Sequence, residues 1–274
     1  MQMHKILISH NYIKRNPLSI FKQNAHHLRR KEEREMENLW KTVTENVGFL
    51  VVIAITAALV LLVAKLGEKW AGASSSQSMR TRKLVTVGMM SALAFILQIF
   101  EFPVPFAPPF YKLDFSEVPV LICAFAMGPV AGVTTELLKN VLKVLFRGTG
   151  TAFVGDYANF IIGCSFIVPA AIIYFKHKTK KNAIIGCAVG TVIIAIFGSL
   201  FNAFYLLPAF SKLYGMPLDQ ILEMGHAIFS GFKEFNLLTF VAVCVAPLNL
   251  LKGAAVSVIV MLIYKPISRI LHQA

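Results

Sequence analysis

The sequence predicts an all-α protein that crosses a membrane several times, and three observations carry that prediction. Of its 274 residues 56% are hydrophobic and only 15% charged, whereas soluble domains are roughly a quarter charged. The apolar residues fall in continuous runs, several near the ~20 residues a helix needs to cross a bilayer. A membrane β-barrel would show short alternating segments instead. The net charge of +13 gathers between the runs and at the chain ends. That is the positive-inside pattern of a polytopic protein, not a nucleic-acid-binding patch.

Seven spans are expected. Residues 1–46 are polar, with Arg29, Arg30 and Lys31 followed by Glu32, Glu33 and Glu35. They hold too little apolar surface for a core and read as a loose tail. Residues 47–66 form the first span and 67–83 a Gly/Ser-containing linker ending in Arg80, Arg82 and Lys83. A cleaved signal peptide would begin nearer the start, although Ala71–Gly72–Ala73–Ser74 offers the small residues of a cleavage site. An outside N-terminus is natural if translation starts at Met36, since Glu37 and Glu45 then face one lysine, Lys41.

Residues 84–274 hold six further spans: 84–100, 118–127, 130–146, 157–175, 183–210 and 237–264. A proline-rich loop (101–116), a glycine-containing turn (147–156) and a polar loop (211–235) join them on one side. On the other side fall the basic clusters 80–83, 176–181 and 265–269, which places that side and the C-terminus in the cytoplasm. Cys123, Cys164, Cys187 and Cys244 each stand alone in an apolar run. They read as packing residues, not as disulfides or metal ligands.

The run 237–264 contains Pro247, Asn249 and Lys252 near its middle. A lysine there costs about 2.5–3.5 kcal/mol on insertion scales, so it faces a bundle interior or a wet cavity. Asn249 and Lys252 are three apart and share a helical face, and Pro247 loosens the turn before them. Together they read as a polar patch in an apolar wall, the design of a small-molecule site. The structural alternative is a lysine snorkelling to a headgroup and an asparagine bonding a neighbouring helix. Glu136, Lys139 and Lys143 form a second stripe, either an internal ion pair plus an interface lysine or a functional surface. Neither GxxxxGK[ST] nor HExxH nor GxSxG occurs, so the chain reads as a non-enzyme that does not itself hydrolyse ATP by that route.

Four stretches carry a resemblance: KLDFSEVPVLICAFAMGPVAGV (112–133), ELLKNVLKVLFRGTGTAFVGDYANFIIG (136–163), NAFYLLP (202–208) and PLNLLKG (247–253). In combination, over roughly residues 80–270, the chain resembles the S components of energy-coupling factor (ECF) vitamin transporters, specifically the riboflavin-binding RibU family. Residues 1–79 have no counterpart in that six-helix pattern. The resemblance implies a six-helix S-component bundle (84–274) preceded by one extra transmembrane helix (47–66). It implies capture of riboflavin as transported ligand, with no cofactor and no nucleic acid. The partners it implies are a membrane T component and two ATPase subunits.

By the same resemblance Asn202, Asn249 and Lys252 hydrogen-bond the polar edge of the isoalloxazine. Its two carbonyls and imide N–H suit amides and an ammonium. Phe115, Tyr205 and Leu113 are expected at the apolar walls, with Phe201 and Phe204 as wall or packing residues. The loop 101–115, stiffened by Pro103, Pro105, Pro108 and Pro109, is expected to act as a lid. Asp114 and Ser116 are expected to cap the next helix. Gly88, Ser91 and Ala92 form the small-residue docking face. The alternatives are an S component for FMN or another vitamin, and an ion-coupled carrier relaying through Glu136, Lys139 and Lys252. The inverted repeats of such carriers are not visible.

Overall fold

The computed structural model describes residues 37, 41, 44–72, 79–231 and 235–273, without the side chains of 79–80 and 265–273. The expected polar tail up to residue 36 and the middle of the linker lie outside them. The chain divides into two compact units, 1–50 and 51–274. In the first unit the described residues are helical apart from a turn at Asn46.

Numbered along the described residues, α1 is Val47–Trp70 and α2 Met79–Ile99. A minimal hairpin follows, β1 (Phe102–Pro103) pairing antiparallel with β2 (Lys112–Leu113). Then come α3 (Glu117–Met127), α4 (Pro129–Arg147), α5 (Val154–Lys176) and α6 (Lys180–Phe201). A π-helical turn, Asn202–Leu206, continues α6 into α7 (Leu207–Tyr214), and α8 is Leu218–Ile228. The last helix starts as α9 (Leu237–Phe240), winds through a second π turn (Val241–Val245) and continues as α10 (Ala246–Gln273).

Among the described residues, five stretches are long and apolar enough to cross a membrane: Val47–Trp70, Thr81–Ile99, Val154–Lys176, Lys180–Tyr214 and Leu237–Tyr264. The other two of the seven expected spans differ in kind. Helix α4 has 19 residues but carries Glu136, Lys139 and Lys143. Helix α3 has only 11 residues, about 16 Å at 1.5 Å per residue, half of a ~30 Å hydrocarbon core. The chain before it is largely buried as well. Tyr111, Leu113, Asp114 and Ser116 are all buried, and non-helical backbone is tolerated at such depth when protein encloses it. The loop expected as a lid is therefore largely packed. Val104, Ala107, Tyr111 and Leu113 join an apolar cluster with Leu207, Phe210, Ile221 and Phe240.

A second cluster, around Phe125, Phe166, Ile167, Tyr174 and Val260, forms the other half of the core. Along α10, Leu248 belongs to the first cluster and Val256 to the second, so Lys252 lies at the boundary. Leu113 and Val118 divide in the same way, with Asp114, Ser116 and Glu117 between them. Two apolar layers thus enclose a polar one. The α3–α4 turn needs Gly128 at φ 103°, a conformation side chains rarely adopt, and Pro129 starts α4 with φ preset.

Helix α1 buries only Ala57 and Ala64 and exposes Ile55, Leu59, Leu62 and Leu66, as suits a helix bathed mostly in lipid. Its far end is fastened: Glu68 pairs with Lys83 at 3.2 Å, and Lys176 stands 4.5 Å over the Trp70 ring. All four cysteines are free and buried, in agreement with a packing role.

Candidate binding site

The two π turns sit at the same offset from a proline: Asn202–Leu206 ends two residues before Pro208, and Val241–Val245 two before Pro247. Proline has no N–H for the usual backbone bond, and π turns are local rewindings frequent at functional sites. Asn202 opens the first π turn, and Asn249 follows the second proline by two residues.

Both asparagines, 2% and 5% exposed, face one cavity of about 490 Å³. Its walls are the loop before α3, the α4–α5 turn, the α6 π turn and the start of α10. Each amide is oriented by its own helix. Asn202 Nδ2 donates to Gly198 O at 2.7 Å, and Asn249 Nδ2 donates to Val245 O at 3.1 Å. Tyr111 Oη donates to Asn202 Oδ1 at 2.8 Å. An amide has two N–H donors and a two-lone-pair oxygen, so each asparagine keeps one N–H and acceptor capacity for a ligand.

Lys252 reaches the same cavity. Its ammonium lies 2.9 Å from Glu117 Oε1 and 3.4 Å from Asp114 Oδ2. The two carboxylates repay a burial that would otherwise be prohibitive. Glu117 also faces Lys139 at 3.2 Å, and Lys139 faces Glu136 at 2.7 Å. Ser116 Oγ accepts from Lys139 at 2.9 Å. Asn140 donates to Glu136 at 3.2 Å and accepts from Gln98 of α2 at 3.3 Å. A continuous polar chain thus runs from the cavity to α2. The alternatives open for the α4 stripe resolve separately: Glu136–Lys139 is an internal pair, and Lys143 pairs with Asp156 at 3.2 Å on the cavity wall.

Asp114 does receive the backbone N–H of Ser116 at 2.8 Å, as a helix-entry residue would. Ser116 does not cap: it occupies the N-cap position without a capping bond, because its hydroxyl serves Lys139. The α4–α5 turn, with Ala152 and Phe153 at positive φ, is tied by the Thr149 and Thr151 hydroxyls accepting from Phe153 and Gly155. Such strain persists only where the surroundings over-determine it.

The structure thus brings Asn202, Asn249 and Lys252 together, and leaves the expected apolar wall elsewhere. Leu113 is buried in the first apolar cluster, with Leu207, Phe210 and Phe240. Phe115 packs against the other cluster with its ring 6.0 Å from Phe102. Tyr205 lies against Tyr157 and Phe201 at 5.7 and 5.0 Å, and Phe204 is 81% exposed. The reason for Tyr205 is the π turn. Its wider winding sends Leu206, not Tyr205, inward after Asn202. The aromatic lining comes instead from Phe110, Tyr111, Phe210 and Tyr214. Asp156 and Asn159, at the start of α5, also line the cavity and were not anticipated. Their signal was weak, since Gly155–Asp156 reads as an ordinary turn.

On α2, Gly88 and Ala92 are exposed side by side, one turn apart. Ser91 is buried and bonds Val87 O at 2.7 Å, so it does not share that face.

A model of the ECF transporter substrate-specific component matches residues 82–264. A riboflavin transporter RibU of Staphylococcus aureus (strain TCH60) is 36% identical over 194 residues, covering 71% of this chain and 94% of that protein. A riboflavin transporter FmnP of Bacillus subtilis (strain 168) is 34% identical over 61% of this chain and 88% of its own length. A solved S component of a bacterial ECF transporter superposes with a TM-score of 0.54 at 36% identity, covering 70% of this chain and 98% of that one. With a predominantly helical multi-pass fold and a polar-lined cavity among its helices, the chain belongs to the substrate-specific components of ECF transporters, which are transport proteins and not enzymes.

Proposed function

We propose that this chain captures riboflavin from outside the cell for an ATP-driven ECF transporter. The observation that carries the proposal is the convergence of Asn202, Asn249 and Lys252 on one cavity of about 490 Å³, a volume in the range of small-molecule sites. The pyrimidine edge of the isoalloxazine offers acceptor, donor, acceptor. Two amides with one free N–H each, plus the ammonium of Lys252, complement it. Phe110, Tyr111 and Phe210 supply ring surface for the apolar faces. Asp156, Asn159 and Thr151 lie in the same cavity and suit the hydroxyls of the ribityl chain.

The charges at the cavity wall favour riboflavin over its phosphate. Lys112 is neutralised by Glu101 at 2.6 Å and Lys143 by Asp156 at 3.2 Å. Among the described residues Arg147 is the cavity-wall cation without an ion pair, donating instead to Ile99 O at 3.4 Å, and a phosphate would have to compete with Glu101 and Asp156. Residues 84–274 would form the binding domain and 47–66 an added helix. The T component, with its two ATPase subunits, would dock on the Gly88–Ala92 face, where small residues let another helix approach. The three basic clusters support a cytoplasmic C-terminus. Flavin fluorescence quenching tests the ligand. Riboflavin should quench at nanomolar concentration and FMN bind more weakly. Equal or tighter FMN binding would favour the phosphate ester, and absence of both would remove flavins as the ligand.

A further inference from the structure

We infer that Gly198 is a positioning residue of the binding site, setting where both recognition asparagines stand. This rests on the reading of Asn202 and Asn249 as ligand contacts. Gly198 lies one turn before Asn202 on α6 and is buried. Its carbonyl accepts the Asn202 amide at 2.7 Å. Its missing side chain makes room for Asn249: a Cβ there would fall 2.7 Å from Nδ2, 2.8 Å from Cγ and 3.0 Å from Oδ1. Those separations are far inside the ordinary 3.5–4.0 Å contact of carbon atoms.

The other close-packed glycines of α6 serve a different purpose. Gly186 meets Ala170 and Gly190 meets Phe166, both on α5, so they let two helices approach. Gly198 instead meets the amide of a cavity-lining side chain on α10. That amide has little freedom to retreat, being short and bonded to Val245 O. A methyl at 198 therefore turns Asn249 away from the cavity, with the fold otherwise able to stay.

A double-mutant cycle isolates this role, because coupling appears only between residues that act through each other. Gly198→Ala should weaken riboflavin binding roughly tenfold or more, the loss of one aligned hydrogen bond. In an Asn249→Ala background the same change should cost nothing further, since the amide it displaces is gone. Should Gly198→Ala alone fold poorly, the double variant should recover folded yield, for the overlap is relieved. Wild-type affinity in Gly198→Ala, an equal loss in both backgrounds, or misfolding that persists in the double variant would each overturn the inference. Wild-type affinity in Asn249→Ala would instead remove the proposed role of Asn249, and this inference with it.

Discussion

Lys139 is wholly buried between Glu117 and Glu136, at 3.2 and 2.7 Å. Removing one partner of a buried pair costs about 3–5 kcal/mol, because the remaining charge has no water to turn to. Lys139→Met, which keeps the volume, should therefore lower the thermal stability of the purified protein sharply. Wild-type stability would show that the carboxylates do not depend on it. Lys252 adds a second role, since it faces both the cavity and the pair Asp114 and Glu117. Lys252→Ala should weaken riboflavin by about 2–3 kcal/mol by stranding a buried carbonyl. Unchanged affinity in folded protein, read by fluorescence quenching, would discard it as a contact. The lysines were legible in the sequence because a cation in an apolar run is conspicuous. Glu136 was legible too, three residues before Lys139 on the same face, but Asp114 and Glu117 were not, because they stand in a stretch that reads as the start of a helix.

At the scale of elements, the sequence shows where helices run but not how they are wound. Both π turns have the composition of ordinary apolar helix, and only Pro208 and Pro247 mark them. Tyr205, expected at the ligand from the resemblance carried by NAFYLLP (202–208), is absent from the cavity lining, where the π turn presents Leu206. The same limit applies to α3. The stretch 118–127 was legible and its helix, Glu117–Met127, matches it in length; what the sequence hid is that Tyr111, Leu113, Asp114 and Ser116 before it are buried as well. The exposed pair on α2 was legible because Gly88 and Ala92 are one turn apart. Ser91 drops out because it turns to the bundle. Replacing Gly88 and Ala92 together with leucine should abolish co-purification of the T component and uptake, and leave riboflavin affinity nearly intact. Retained uptake would place docking on another face.

At the scale of the whole molecule, two expectations concern sidedness and energy. Thr179, between α5 and α6, and Ser230, after α8, are both exposed and should lie on opposite sides of the membrane. In a variant without native cysteines, an impermeant maleimide applied to intact cells should label Ser230→Cys and spare Thr179→Cys; the reverse would invert the topology. The matter of energy follows from affinity. Nanomolar capture corresponds to about −12 kcal/mol, and tight complexes dissociate slowly. Release into the cytoplasm then needs work, and the chain holds no phosphate-binding GxxxxGK[ST] motif to perform it. Asp114 and Lys252 line the cavity and are joined inside the bundle by the buried Glu117, Lys139 and Glu136, so inward release is expected to require the helices themselves to move. The partner proposed to dock on α2 would supply that movement, and the polar chain from Lys252 to Gln98 connects the cavity to that helix. Liposomes containing this chain alone should bind riboflavin yet accumulate none under a proton or sodium gradient. Adding the T component, the ATPases and ATP should start accumulation, and uptake driven by an ion gradient alone would establish a secondary carrier in its place.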